Sequence, residues 1–196
     1  MKKKFITIAI IALTLLVIYN VFVGRYNKMV TLEESVSASW ADVETQYQRR
    51  YDLIPNLVNT VKGFAEHEKE VLTGVTQARA NASSIQIDPT KLDAAAMEKF
   101  NQAQSQLNGA LSRLLVTVER YPDLKSNQNF LELQAQLEGT ENRIAVSRSR
   151  FNETAQGYNT YIRKFPSSML AGMYGFERKP LFEATEGAEN VPDVVF

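Results

Sequence analysis

The chain has 196 residues, with 22 basic and 22 acidic side chains, no cysteine and one histidine, His67. These counts exclude disulfides, cysteine metal sites, cysteine nucleophiles and lipidated-cysteine anchors, and they leave one imidazole for metal or acid–base work. Three of the 22 basic residues are Lys2, Lys3 and Lys4; without them 19 basic face 22 acidic residues, with no long basic stripe, so nucleic acid is not an expected partner.

Residues 1–4 form a basic flank. Residues 5–23, "FITIAIIALTLLVIYNVFV", are 19 in number and carry no charge. At the helical rise they extend about 28 Å, close to the thickness of a bilayer core. Tyr19 and Tyr26 lie near the far end, where amphipathic aromatics meet the lipid headgroups. A cleaved leader needs a shorter apolar core and a small-residue cleavage site, whereas this run ends with bulky Phe22 in "NVFVGRYN". The expectation is an uncleaved single-pass transmembrane helix that contacts the lipid bilayer through residues 5–23. Lys2–Lys4 outweigh Arg25 and Lys28, which puts the N-terminus in the cytoplasm and the larger domain outside the membrane.

Residues 24–165 read as a helical bundle. In the first segment, about 30–65, apolar residues recur at Leu32, Val36, Trp40, Val43, Tyr47, Tyr51, Ile54, Val58, Val61 and Ala65, in steps of three or four. It contains the stretch "QRRYDLIPNLV", with Arg49, Arg50 and Pro55. The apolar phase is kept across Pro55, which favours a kinked helix there over a fresh start capped by Asp52. A turn near Gly63–His67 leads to a second helix, 67–82. The third, 89–121, starts with Asp88 as cap and Pro89 as first residue, and stops before Pro122. The fourth, 127–165, is capped by Ser126 or Asn127. Phe130, Leu137, Ile144, Phe151, Tyr158 and Phe165 recur in it every seven residues, the repeat of a helix packed lengthwise, coiled-coil fashion, on its neighbours.

Residues 166–196 show no helical period, yet they carry the apolar clusters "MLAGMYGF", "PLF" and "VVF". An extended apolar tail is expected, docked on the bundle or on a neighbouring copy, with Tyr174, Phe176, Phe182 and Phe196 as contact residues. The fold class is therefore all-α: a membrane-anchored antiparallel four-helix bundle with long helices and an extended C-terminal tail.

Catalytic chemistry finds little footing. "HEKEV" begins like a zinc-protease motif, but Val71 stands where the second histidine belongs. A bundle di-iron site needs two Glu-x-x-His motifs, which one histidine cannot supply. Gly63, Gly74, Gly109, Gly139 and Gly157 are isolated and form no phosphate-cradling loop; inside helices they are expected to let a neighbouring backbone approach. No catalytic, cofactor-binding or metal residue is assigned, and the protein is read as a non-enzyme. The informative polar residues are Glu141 and Arg148, on the heptad face of the last helix. A charge on an inner face needs a partner, and Arg49 or Arg50, the latter preferred, is the one expected for Glu141. The competing reading puts both charges at the rim of the apolar stripe.

Three stretches carry a family resemblance: "QRRYDLIPNLVNTVKGFAEHEKEVL", "RYPDLKSNQNFLELQAQLEGTENRIAVSRSRFNETAQGYN" and "IRKFPSSMLAGMYGFERKPLFEATEGAE". With the apolar N-terminal run, they resemble the LemA family over nearly the whole chain. The resemblance implies a bacterial, membrane-anchored four-helix bundle whose molecular function is unsettled, so no catalytic residue is carried over. It also implies an N-terminus outside, against the charge argument, and the orientation stays open. The expected role is a self-associating, homo-oligomeric membrane scaffold or assembly factor of the bacterial inner membrane. The alternative is an adaptor that docks another membrane protein, such as a membrane protease.

Overall fold

The computed structural model describes residues 2–65 and 67–183. Among them the regular structure is helical, with no strand. Helix α1 spans Lys2–Lys62, α2 Lys69–Ser83, α3 Ala94–Val118, α4 Pro122–Lys125, α5 Gln128–Arg163 and α6 Ser167–Tyr174; a 3-10 turn, Pro89–Lys91, precedes α3.

Helix α1 is 61 residues long, about 92 Å at the helical rise. It joins the apolar N-terminal run to the packed region without interruption. Among the described residues α1 is one helix long and apolar enough to cross a membrane, and its most apolar window has no buried residue. Further along, Val36, Trp40, Val43, Tyr47, Tyr51, Ile54, Leu57 and Val61 form a buried stripe. Pro55 lies inside α1, so a fresh helix start at Asp52 does not occur. In the turn after Pro55 Leu57 is fully buried, while the expected Val58 is half-buried. Both lie within the wide apolar face of a core helix, and side-chain spacing alone does not rank them.

The other helices show where local chemistry outweighs periodicity. Asp88 does accept from Thr90 N at 2.9 Å, but what it caps is the 3-10 turn. Helix α3 begins later, capped by Asp93 accepting from Ala96 N at 2.7 Å. Asn127 caps α5 through Phe130 N at 3.1 Å. Helix α5 ends at Arg163, so Phe165, the last member of the seven-residue series, falls outside it and is 80% exposed. The segment after Pro166 also differs from expectation, since its first eight residues are helix α6. Ser167, Leu170 and Ala171 are its buried face. Two turns between Pro166 and Gly175 are too short to display a period. Gly175 stops α6 in the left-handed region at φ 77, where a residue without a Cβ is not strained.

The core is centred on Trp40, which is fully buried and has its ring centroid 5.4 Å from both Phe100 of α3 and Phe151 of α5. Along α1 and α5, Arg50 meets Glu141, Asp42 meets Arg150 at 3.8 Å and Arg25 lies over Tyr161 at 6.0 Å. Later residues of α5 thus meet earlier residues of α1. The end of α5 comes down to the end of the apolar run. The glycines do not serve close helix approach: a Cβ at Gly74, Gly109, Gly139 or Gly157 would meet nothing within 4 Å.

Candidate functional site

Two polar arrangements tie the packed region together around residues selected from the sequence. The first is a polar seam through the helices. Arg50 is 5% exposed, because the apolar stripe of α1 turns it inward. Its Nη1 lies 3.2 Å from Glu141 Oε2 on α5, and its Nη2 donates to Asn108 Oδ1 on α3. One planar guanidinium therefore bridges three helices, a task that a fork of fixed donors performs well. The Glu141 side chain is 55% exposed, so solvent screens that end of the pair.

One residue further on, the Tyr51 hydroxyl accepts from Gln104 Nε2 and donates to Ala82 O at 3.4 Å. The Tyr51 carbonyl accepts from Arg79 Nε at 2.7 Å, which ties α2 to α1. Burial raises the pKa of Tyr51, and burial pushes Tyr47 beside it up to about 12. Both phenols stay protonated, as hydrogen-bonding and packing groups.

The second arrangement holds the segment after α6. Two asparagines seven residues apart on α5 each grip its backbone twice. Asn159 donates to Lys179 O at 2.8 Å and accepts from Lys179 N at 2.9 Å. Asn152 does the same with Phe182 O and Phe182 N, both at 2.8 Å. Each carboxamide offers a donor and an acceptor side by side, as an adjoining strand would. Lys179 is 5% exposed, with Nζ 2.9 Å from Glu33 Oε1 and 2.9 Å from Thr90 O. Burial also raises the pKa of Tyr158, whose ring faces that ammonium at 6.0 Å. Phe182 enters the core itself. Its ring stacks on Trp40 at 5.8 Å and stands edge-on to Phe151 at 5.5 Å. Arg148 covers it, with the guanidinium carbon 4.5 Å from the ring centroid and Nη2 donating to Glu183 O at 3.3 Å.

The sequence-selected residues thus separate into groups. Arg50 and Glu141 meet each other, and Arg148 meets Phe182 rather than either of them. Arg49 is exposed and lines an open groove with Glu44, Gln48 and Asp52. Pro55 lies past the polar seam, within α1. Tyr174 and Phe176 pack edge-on against Tyr26, at 4.9 and 5.7 Å. Phe196 lies outside the described residues. Asn152, Asn159, Glu33 and Lys179 escaped the sequence reading. The asparagines had a signal, since each follows a heptad aromatic, Phe151 or Tyr158. Among the described residues no three histidine, aspartate or glutamate side chains converge as a metal site would require. The arrangement binds backbone and buries charge.

The chain is similar to known proteins along most of its length. Protein LemA of Metamycoplasma hominis is 26% identical over 184 residues, covering 94% of this chain and 80% of that protein. Magnetosome protein MamQ of Magnetospirillum gryphiswaldense is 29% identical over 192 residues, covering 89% of this chain and 71% of that protein. Magnetosome protein MamQ 2 of Paramagnetospirillum magneticum is 27% identical over 176 residues, covering 81% of this chain and 65% of that protein. The model of the LemA family matches residues 39–196, from the Trp40 core to the end of the chain. The chain belongs to the LemA family.

Proposed function

We propose that the protein is a non-enzymatic, single-pass scaffold of the bacterial inner membrane, built as an antiparallel four-helix bundle that associates with further copies of itself. The observation that carries this reading is the continuity of α1 from its apolar run into the core. A domain joined to its span by one uninterrupted helix is held in a defined pose above the lipid. Copies confined to one plane in one pose meet at high effective concentration, so weak lateral contacts suffice. The N-terminus lies in the cytoplasm and the bundle outside, by the lysines that precede the span.

The test is the mass of the full-length protein in nanodiscs and in detergent, by light scattering across a range of concentrations. Several copies per particle are expected; a monomer at every concentration overturns the scaffold. A second reading, docking of another membrane protein, has its own observation: an open groove runs beside α1, lined by Ala41, Tyr47, Arg49, Ile85 and Phe100. Exposed grooves between helices are common recognition surfaces. Recovery of a stoichiometric membrane-protein partner with a monomeric scaffold would favour it.

A further inference from the structure

The end of the domain nearest the apolar run has an unusual surface. Phe165 is 80% exposed, Met169 59%, Met173 67% and Tyr174 59%. In helix α6, Met169 and Met173 are one turn apart and lie opposite the buried face made by Ser167, Leu170 and Ala171. A short helix with its outer face apolar is expected to be covered.

Its position says by what. Tyr26, three residues beyond the last apolar residue of the run, touches both Tyr174 and Phe176. Arg25 lies over Tyr161, and Phe165 follows Tyr161 by four residues in the direction of the span. The exposed apolar side chains therefore sit at the level where residues 5–23 end. The charge there also differs from the rest of the chain. Arg25, Lys28, Arg163, Lys164 and Arg178 gather at this end against one acid, Glu177, although the chain beyond the N-terminal lysines is acidic on balance. Apolar side chains rimmed by cations, beside aromatics, are what the boundary between acyl chains and anionic headgroups accepts.

We propose that α6 and Phe165 form a second membrane contact: Phe165, Met169 and Met173 enter the headgroup–acyl boundary of the leaflet from which α1 emerges, and the surrounding cations meet anionic lipid. The bundle would then rest on the bilayer rather than stand away from it. This rests on the reading of residues 5–23 as a span.

The absence of cysteine makes the test direct. Full-length Phe165→Cys, Met169→Cys and Met173→Cys variants are labelled with a polarity-sensitive fluorophore. They are reconstituted in phosphatidylcholine–phosphatidylglycerol vesicles carrying nitroxide lipids, shallow or deep. Ile11→Cys reports the span. Val146→Cys, 61% exposed and level with Gln46, serves as a probe about 34 Å above the span's end. The expected result is blue-shifted emission at Met169 and Met173, quenched more by shallow than by deep nitroxides, with Val146 unquenched. Weaker quenching in phosphatidylcholine alone would show that charge contributes as proposed. Quenching at Ile11 but none at Phe165, Met169 and Met173 overturns the second contact and leaves the span standing. Blue-shifted probes that lipid nitroxides do not quench also overturn it, because protein then covers the face. An unquenched Ile11 overturns the span and this inference with it.

Discussion

The C-terminal segment places aromatic and sulfur-bearing side chains at two sites, and the two are opposites. At one, Phe182 is 5% exposed, enclosed by Trp40 and Phe151, with Arg148 above it. At the other, Phe165, Met169 and Met173 face outward. The composition is similar; the enclosure is not. Phe182 has its whole environment supplied by this chain and should behave as core. The outward residues contribute almost nothing to the fold by themselves, and the proposed bilayer contact would supply the apolar surroundings that this chain does not. Burial, and not residue type, separates a folding contact from an interaction surface.

The comparison breaks first at Phe182. Phe182→Ala should destabilise the full-length protein by about 3–5 kcal/mol, the usual cost of emptying a buried phenylalanine site. The fluorescence of Trp40, the single tryptophan, reports it in a denaturant titration. A loss under about 1 kcal/mol would mean that the segment is ornamental. Glu33→Gln should come next, at about 2–4 kcal/mol, since it leaves the Lys179 ammonium buried without a carboxylate to balance its charge. Adding Lys179→Met should recover part of that loss.

Alkaline pH tests the same core from another side. Tyr47 is raised from 10.0 to about 12 by burial, and burial raises Tyr51 as well. Between those values the unfolded chain loses the phenolic proton while the folded chain keeps it. Stability is therefore complete below about pH 10 and falls as pH rises toward 12, by about 2 kcal/mol for Tyr47. A denaturation midpoint that stays flat across that range would show the phenols to be solvated.

Smaller effects sharpen the contrast. A double-mutant cycle of Arg50→Met and Glu141→Gln should give a coupling of about 1 kcal/mol, limited by the exposure of Glu141. Zero coupling would make the pair incidental. Met169→Ser combined with Met173→Ser should change stability by less than about 0.5 kcal/mol, because those side chains touch solvent in the isolated fold. A large loss would place them in the core and erase the distinction between the two sites.

Much of this was legible in the residue order. The run at residues 5–23, the stripe from Val36 to Val61 and the heptads of α5 follow from periodicity, which long helices display many times over. The Arg50–Glu141 contact was legible because an inward charge on α1 needs a partner on a neighbouring helix, although Glu141 itself stands at the rim, 55% exposed. Helix α6 was not, since eight residues between Pro166 and Gly175 repeat no pattern. The start of α3 was misplaced because two aspartates, Asp88 and Asp93, can each cap, and spacing does not choose between them. The grip of Asn152 and Asn159 on backbone was hidden for another reason. A carboxamide that pairs with main chain places no demand on the identity of its partner.

The unbroken course of α1 has a mechanical consequence. From Gly24 to Arg50 there is no joint, and the helix covers about 39 Å over that distance. A span tilts when the bilayer thins or thickens around it. A change of about 10° would swing the polar seam sideways by about 7 Å, with no loop to absorb the motion. With residues 5–23 as the proposed span, the protein would in this sense be a lever with its fulcrum in the lipid, and membrane thickness would set the position of everything that α1 carries.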